Sequence, residues 1–83
     1  MKTEENVVVF TSSGCPYCQQ VLEALEEWEV SFEERNVSQD KRYFQQLRDH
    51  KLHGTPATLK GGSVVLGFQK EKLQRLLEVA DHQ

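Results

Sequence analysis

Hydrophobic residues along this chain occur either in short continuous runs or at helical spacing. Residues 6–11, NVVVFT, form a nearly continuous β-branched run, as expected for a central strand that is buried on both faces. Pro16, a favoured first helical residue, follows shortly afterwards. Apolar residues then recur at helical spacing, at Val21, Leu22, Leu25 and Trp28. With glutamates between these positions, the segment predicts an amphipathic helix of about four turns.

A second strand and a second helix are predicted next. Residues 30–37, VSFEERNV, alternate apolar and polar positions at their start and predict a strand that is exposed on one side. Ser38 or Asp40 can cap a helix that continues to about His50. The residues expected to face inward from this helix are Phe44 and Leu47. The order strand, helix, strand, helix predicts a right-handed βαβ unit if the two strands pair in parallel.

The last part of the chain has a different pattern. HGTP at residues 53–56 is a break, and ATLK at 57–60 and SVVL at 63–66 are short strands. The Gly61-Gly62 pair between them predicts a tight turn and therefore a β-hairpin. A final helix from Lys70 onward has an apolar stripe formed by Leu73, Leu76, Leu77 and Ala80. The complete order is βαβαββα, which predicts an α/β protein.

Composition narrows the classes of function. The 83 residues, 37% hydrophobic and 28% charged, predict a single globular domain over residues 1–83 that we expect to be a monomer. A net charge of -3, with ten basic and thirteen acidic residues, disfavours a nucleic-acid partner. No apolar run is long enough to cross a membrane, and the start MKTEEN does not resemble a secretory signal. We therefore expect a cytoplasmic protein without a membrane partner.

Both cysteines of the chain, Cys15 and Cys18, lie in the segment SSGCPYC. In a reducing compartment a permanent disulfide is disfavoured, and a pair this close in sequence closes too small a loop to stabilise a fold much. A zinc site would need further ligands, and His50 and His53 could supply them, so a zinc-binding module remains an alternative. His53 could also act as a base for Cys15 in a thiol hydrolase.

The third possibility is a reactive dithiol, and the position of the pair favours it. The cysteines follow the first strand and begin the first helix, where unpaired N–H groups and the helix dipole favour a thiolate. Pro16 has no N–H, so the amides of Tyr17 and Cys18 are free to point at the Cys15 sulfur. We expect a lowered Cys15 pKa, attack by Cys15 on a disulfide, and resolution of the mixed disulfide by Cys18.

The motif CPYC at residues 15–18 resembles that of the dithiol glutaredoxins, and the resemblance covers almost the whole chain. It implies the thioredoxin fold, with a four-stranded mixed sheet flanked by helices, and a thiol–disulfide oxidoreductase acting in cell redox homeostasis. GTP at residues 54–56 matches the family segment that ends in a cis-proline. The resemblance therefore implies that Pro56 is cis and that the Thr55 backbone pairs with a substrate chain.

Two positions depart from the glutathione-binding members of that family. Ser12 stands where those proteins have a lysine or arginine, and Gln69 lies where they have an aspartate after a Gly-Gly segment. Gly67 and Phe68 instead resemble the Ser-Gly-Phe segment of glutaredoxin-like redoxins that donate electrons to ribonucleotide reductase and are recharged by thioredoxin reductase. The resemblance thus leaves either glutathione or thioredoxin reductase as reductant. Phe68 can also be read as simple core filling.

The remaining expectations concern ligands. Tyr17, beside the exposed sulfur, can supply an aromatic surface for a partner peptide, and we expect Pro16 to share in that contact. We expect no metal and no tightly bound cofactor, with glutathione as a possible thiol co-substrate. The alternative, besides zinc, is an iron–sulfur carrier in which the cysteine pair helps to hold a cluster.

Overall fold

The computed structural model describes residues 7–78, whose strands and helices follow the predicted order βαβαββα. The strands are β1 (Val7–Thr11), β2 (Glu33–Asn36), β3 (Ala57–Lys60) and β4 (Ser63–Leu66). The helices are α1 (Pro16–Glu27), α2 (Lys41–Asp49) and α3 (Lys70–Leu77). The predictions for Asn6 in the first strand and Ala80 in the last helix lie outside the described residues. None of the helices within residues 7–78 has the length and apolar character needed to span a membrane.

The strands form one mixed sheet in the order β2-β1-β3-β4, which makes β1 a central strand. β1 is parallel to β2, with Val9 opposite Glu34, and antiparallel to β3, with Val9 opposite Thr58. β3 and β4 form the predicted antiparallel hairpin, in whose turn Gly61 has a φ of 60° that glycine adopts readily. The four-stranded mixed sheet is therefore confirmed, and α1 begins at the C-terminal end of β1.

Helices cover both faces of this sheet. α1 and α3 pack on one face around a cluster of buried aliphatic residues, Val7, Val9, Val21, Leu25, Val65, Leu73 and Leu77. α2 packs on the other face around a smaller buried cluster, Phe10, Leu47 and Ala57. β1 contributes to both clusters because successive side chains of a strand point to opposite faces. The predicted flanking of the sheet by helices is confirmed, and both layers hold the end of β1 in place.

The second strand is shorter than residues 30–37, because the end of α1 uses the first of these residues. Glu29 has a left-handed φ of 59°, and the Val30 N–H donates to the Leu25 carbonyl at 2.9 Å. This is the bond that closes a Schellman-type helix end, in which the two apolar side chains also meet. Pairing with β1 therefore begins only at Glu33.

The first helix also ends earlier than expected, after 12 residues. Trp28 is its C-cap and not part of its last turn. Trp28 and Phe32 are both half-buried and pack against the cluster between α1 and α3. These two apolar side chains thus pack the segment between α1 and β2 onto the core.

In the second helix, Asp40 is the N-cap, and its carboxylate accepts an N–H of the first turn at 2.9 Å. Leu47 is buried as predicted, but the prediction that Phe44 faces inward is wrong, since 48% of its surface is exposed. Tyr43 takes the inward position one turn before Leu47 and packs against the smaller cluster. The Arg35 guanidinium of β2 lies 5.9 Å from the Tyr43 ring centroid, and the Arg48 guanidinium of α2 lies 5.9 Å from that of the exposed Phe44 ring.

Candidate active site

A short loop carries the chain from β1 to Cys15 at the edge of the helical layer. The Ser13 N–H donates to Ser38 Oγ at 3.1 Å, which ties this loop to the connection between β2 and α2. Gly14 has a φ of 72°, in the left-handed region that favours glycine. The loop is therefore held on one side by a tertiary hydrogen bond and turned into α1 by a glycine.

Cys15 is the N-cap of α1, and its Sγ accepts the Cys18 backbone N–H at 3.2 Å. The bond satisfies one of the N–H groups that a helix leaves unpaired at its start. Pro16 occupies the first helical position, where its missing N–H costs no helix bond. The sequence predicted that the Tyr17 and Cys18 amides are both available to the sulfur, and the Cys18 amide is the one that forms the hydrogen bond.

The two sulfurs differ in accessibility. Both residues are free thiols, and Cys15 is partly exposed whereas Cys18 is buried with 3% of its surface accessible. One helical turn separates them, so they lie on the same side of α1. An incoming disulfide can therefore meet the Cys15 sulfur, while Cys18 is shielded behind it.

Burial and hydrogen bonding also move the two pKa values apart. Desolvation raises the pKa of Cys15, but hydrogen bonds from the Cys18 thiol and amide and from the hydroxyl pair of Thr55 and Ser12, which has one proton left to donate, outweigh it, so that this pKa is lowered. Desolvation raises the pKa of Cys18, and the neighbouring Cys15 sulfur raises it further. Because the thiolate is the nucleophilic form, Cys15 is the better attacking group of the pair.

The segment before β3 lies beside these sulfurs. The Thr55–Pro56 peptide bond is cis, as the family resemblance implied. Thr55 Oγ1 and Ser12 Oγ are 2.7 Å apart and form a hydrogen bond between the two loops. Within residues 7–78 the Thr55 backbone N–H and C=O have no hydrogen-bond partner in this structure. Thr55 thus presents an open backbone edge next to Cys15.

The other residues that the sequence analysis singled out near the site differ in burial and in hydrogen bonding. Gly67 has a φ of 72°, and its N–H donates to the Pro56 carbonyl at 2.8 Å, so the end of β4 is joined to the cis-proline. Phe68 is half-buried against the cluster between α1 and α3, as expected if it fills the core. Tyr17 is 61% exposed at the start of α1. Gln69 donates its side-chain amide to the Leu66 carbonyl instead of standing free.

The histidines are placed away from a metal-binding arrangement. The His50 ring lies 6.2 Å from the Phe10 ring, between centroids, and His53 is exposed in the loop before Thr55. In the part of the chain that is described, no three histidine, cysteine or acidic side chains come together as a metal would require. The zinc alternative therefore has no ligand set among these residues.

Sequence reasoning missed the polar surroundings of the site. Thr11 is buried at the end of β1 and its Oγ1 donates to Glu34 Oε2 at 2.8 Å. A groove of about 370 Å³ opens beside both sulfurs on this side and is lined in part by Glu34 and Asn36. Glu34 can be assigned to this site from the sequence only if the parallel register of β1 and β2 is known, because that register places Glu34 on the face covered by α1.

Comparison with known proteins gives a consistent result. The glutaredoxin family model matches residues 7–65. A glutaredoxin-like 8.6 kDa protein in the rubredoxin operon of Clostridium pasteurianum is 26% identical over 73 residues, covering 87% of this chain and 97% of that protein. The glutaredoxin-like protein NrdH of Lactococcus lactis is 24% identical over 70 residues, covering 84% and 97%. The solved thioredoxin-like protein BC3987 is 40% identical with a TM-score of 0.81, covering 87% of this chain and 100% of that structure.

Proposed function

The chain belongs to the glutaredoxin family, and from that premise we propose that it reduces protein disulfides or mixed disulfides by dithiol exchange. In this proposal Cys15 is the attacking thiol and Cys18 the resolving thiol. Family membership supports the general role of a thiol–disulfide oxidoreductase. The assignment of the two cysteines rests on their geometry.

The observation that carries the proposal is the hydrogen bond from the Cys18 N–H to Cys15 Sγ at 3.2 Å. A backbone N–H at a helix start stabilises negative charge on its acceptor, and the accepting sulfur is the exposed one of the pair. The hydroxyls of Thr55 and Ser12 add to this effect and lower the Cys15 pKa. The reactive form of Cys15 is therefore favoured where a substrate can reach it.

The reaction proceeds by two exchanges. The Cys15 thiolate attacks one sulfur of the substrate disulfide, so that a bond forms between the two sulfurs and the other substrate sulfur leaves as a thiolate. Cys18 then loses its proton and attacks the Cys15 sulfur, which breaks the mixed disulfide and releases the second substrate thiol. The substrate gains two electrons and two protons, one from the Cys18 thiol and one from solvent, and the protein is left with a Cys15–Cys18 disulfide. No metal or tightly bound cofactor takes part in these steps.

Substrate docking is assigned to the edge beside Cys15. The unpaired backbone of Thr55 can form strand-like hydrogen bonds with an extended substrate segment. Pro56, held to Gly67 by a 2.8 Å hydrogen bond, fixes the position of that edge. Tyr17 and Pro16, which follow Cys15 at the start of α1, offer exposed apolar surface. Phe68 supports this region from the core, which makes its role indirect.

The reductant is either thioredoxin reductase or glutathione, and the residues at two positions favour the first. Ser12 is engaged with Thr55 at 2.7 Å, and the Gln69 side chain is bonded to a backbone carbonyl. Neither residue carries a positive or negative charge that could hold the charged ends of glutathione. A ribonucleotide reductase is a fitting protein substrate, on the resemblance of the Gly67-Phe68 segment to redoxins that serve that enzyme.

Coupled turnover tests the proposal. The oxidised protein is supplied with NADPH and either thioredoxin reductase, or glutathione plus glutathione reductase, and NADPH consumption is followed with insulin as disulfide substrate. We expect turnover that is faster through thioredoxin reductase, is abolished in Cys15→Ser, and in Cys18→Ser is lost with insulin. Activity retained by Cys15→Ser would contradict the mechanism. Faster turnover with glutathione would contradict the preference for thioredoxin reductase but leave the dithiol mechanism intact.

A further inference from the structure

The groove on the β2 side of the sulfurs adjoins the Thr55 edge through Ser12, but Thr55 itself does not line it. Its volume of about 370 Å³ lies between the loop after β1, the first turns of α1 and two side chains of β2, Glu34 and Asn36. Sites that hold small ligands commonly measure about 300–1,000 Å³. A second groove of about 400 Å³ shares Glu34 and Asn36 and continues to Tyr43 on α2. A segment bound at Cys15 therefore has space for a side chain on the β2 side.

Glu34 and the Cys15 thiolate give this groove its negative charge. Among the described residues that line it, Glu34 is the one carboxylate, and neither a lysine nor an arginine is present. Its Oε2 accepts the hydroxyl of buried Thr11 at 2.8 Å, which holds the side chain at the groove wall. Within residues 7–78 the salt bridges involve other carboxylates, so no cation from this part of the chain neutralises Glu34. In the second groove, by contrast, Asp40 is paired with Arg42 at 2.9 Å.

We infer that Glu34 is a specificity-determining residue that favours disulfides with a lysine or arginine next to the reacting cysteine. The long stems of these side chains can follow the groove wall while their charged ends meet the carboxylate. The inference rests on the proposed function, because the substrate sulfur must join Cys15 before its neighbour can enter the groove. It adds a substrate class to that function: protein disulfides in a basic sequence context.

The expected effect is modest, because Glu34 is exposed. Exposed ion pairs are weak and screened by salt, and their strength corresponds to a rate preference of about twofold to fivefold. The preference should shrink as ionic strength rises, since screening acts strongly on exposed charges. A neutral glutamine at this position keeps an oxygen that can accept the Thr11 hydroxyl, so Glu34→Gln removes the charge and leaves the hydrogen bond possible.

The test uses two disulfide-containing peptides that are identical except for a lysine or a glutamate beside the cysteine. Reduced protein is mixed with excess peptide without any reductase, and formation of the Cys15–Cys18 disulfide is followed by acid quenching and separation of the oxidised form. Glu34→Gln is compared with Glu27→Gln, a matched control that makes the same change of charge at an exposed position in the last turn of α1.

We expect the wild-type protein and Glu27→Gln to react about threefold faster with the lysine peptide than with the glutamate peptide. In Glu34→Gln the ratio of the two rates should fall, leaving the smaller preference that the Cys15 thiolate itself gives. Equal rates in the wild-type protein, or an unchanged preference in Glu34→Gln, would overturn the inference while leaving the proposed function in place. Failure of the wild-type protein to react with either peptide would contradict the proposed function itself and the inference with it.

Discussion

Replacing Thr58 by valine should stabilise the protein, whereas the same replacement at Thr11 should destabilise it. Both threonines are buried on the sheet face covered by α1 and α3, with 0% and 1% of their surface exposed, respectively. Among the described residues no group bonds Thr58 Oγ1, whereas Thr11 Oγ1 donates to Glu34 at 2.8 Å. The pair therefore offers one substitution in two similar environments that differ in hydrogen bonding.

The magnitudes follow from this difference. A buried polar group without a partner costs about 1–3 kcal/mol, and valine has nearly the shape of threonine, so Thr58→Val should raise the free energy of unfolding by about 1 kcal/mol. At Thr11 the substitution removes a hydrogen bond to a carboxylate, but Glu34 is exposed and water can replace the hydroxyl, so we expect a loss of about 1 kcal/mol. For a domain of this size each change corresponds to about 4–8 °C in Tm.

Thermal and urea unfolding followed by far-UV circular dichroism measures both effects. A reductant must be present so that the cysteines stay as thiols throughout. The urea dependence of the unfolding free energy should be unchanged, so that the shift in midpoint reports stability alone. If Thr58→Val lowered Tm as much as Thr11→Val does, the Thr58 hydroxyl would have a partner and the account of the packing around it would be refuted.

Three further predictions address the thiols, α2 and the choice of reductant. Iodoacetamide should modify Cys15 before Cys18, and Cys15 labelling should persist at pH values too low for an ordinary thiol to react. Equal labelling rates of the two cysteines would contradict their opposite pKa shifts. Because its folded-state pKa is lowered, the Cys15 thiolate stabilises the folded protein above the ordinary thiol pKa, and that contribution is lost as the pH falls through the lowered value. Tyr43→Ala should lower the free energy of unfolding by about 2 kcal/mol and Phe44→Ala by less than about 0.5 kcal/mol in the same urea assay, with equal losses as the contrary result. Ser12→Lys should increase turnover with glutathione and glutathione reductase relative to Ser12→Ala, and no difference between the two variants would show that this position does not limit glutathione use.

Local patterns were sufficient to predict much of the fold. The β-branched run of β1, the helical spacing after Pro16 and the Gly61-Gly62 turn each depend on residues close in sequence. Each element forms where its pattern lies, except that α1 ends before Trp28. The same holds for Cys15, because a residue before a helix-starting proline is at an N-cap wherever that helix packs. The family resemblance added the cis peptide bond before Pro56, which local patterns alone do not specify.

The remaining features depend on contacts between distant segments. The Thr11–Glu34 and Ser12–Thr55 hydrogen bonds join residues that are 23 and 43 positions apart, so their partners become visible only once the strand register is fixed. Tyr43 and not Phe44 shares the inward face with Leu47, and the helical pattern of α2 does not choose between them, because they lie four and three positions before Leu47. The sequence pattern therefore predicted the two thiols but not the polar groups that surround them.

The central claim is that Cys15 attacks and Cys18 resolves, and trapping of the mixed disulfide tests it most directly. Cys18→Ser is reduced, incubated with an oxidised peptide disulfide and digested, and the adduct is located by mass spectrometry, with Cys15→Ser treated in parallel. We predict that one peptide becomes attached to Cys15 in Cys18→Ser and that Cys15→Ser, with its buried Cys18, forms little adduct. An adduct on Cys18 in Cys15→Ser, with none on Cys15 in the other variant, would reverse the two roles and contradict the account.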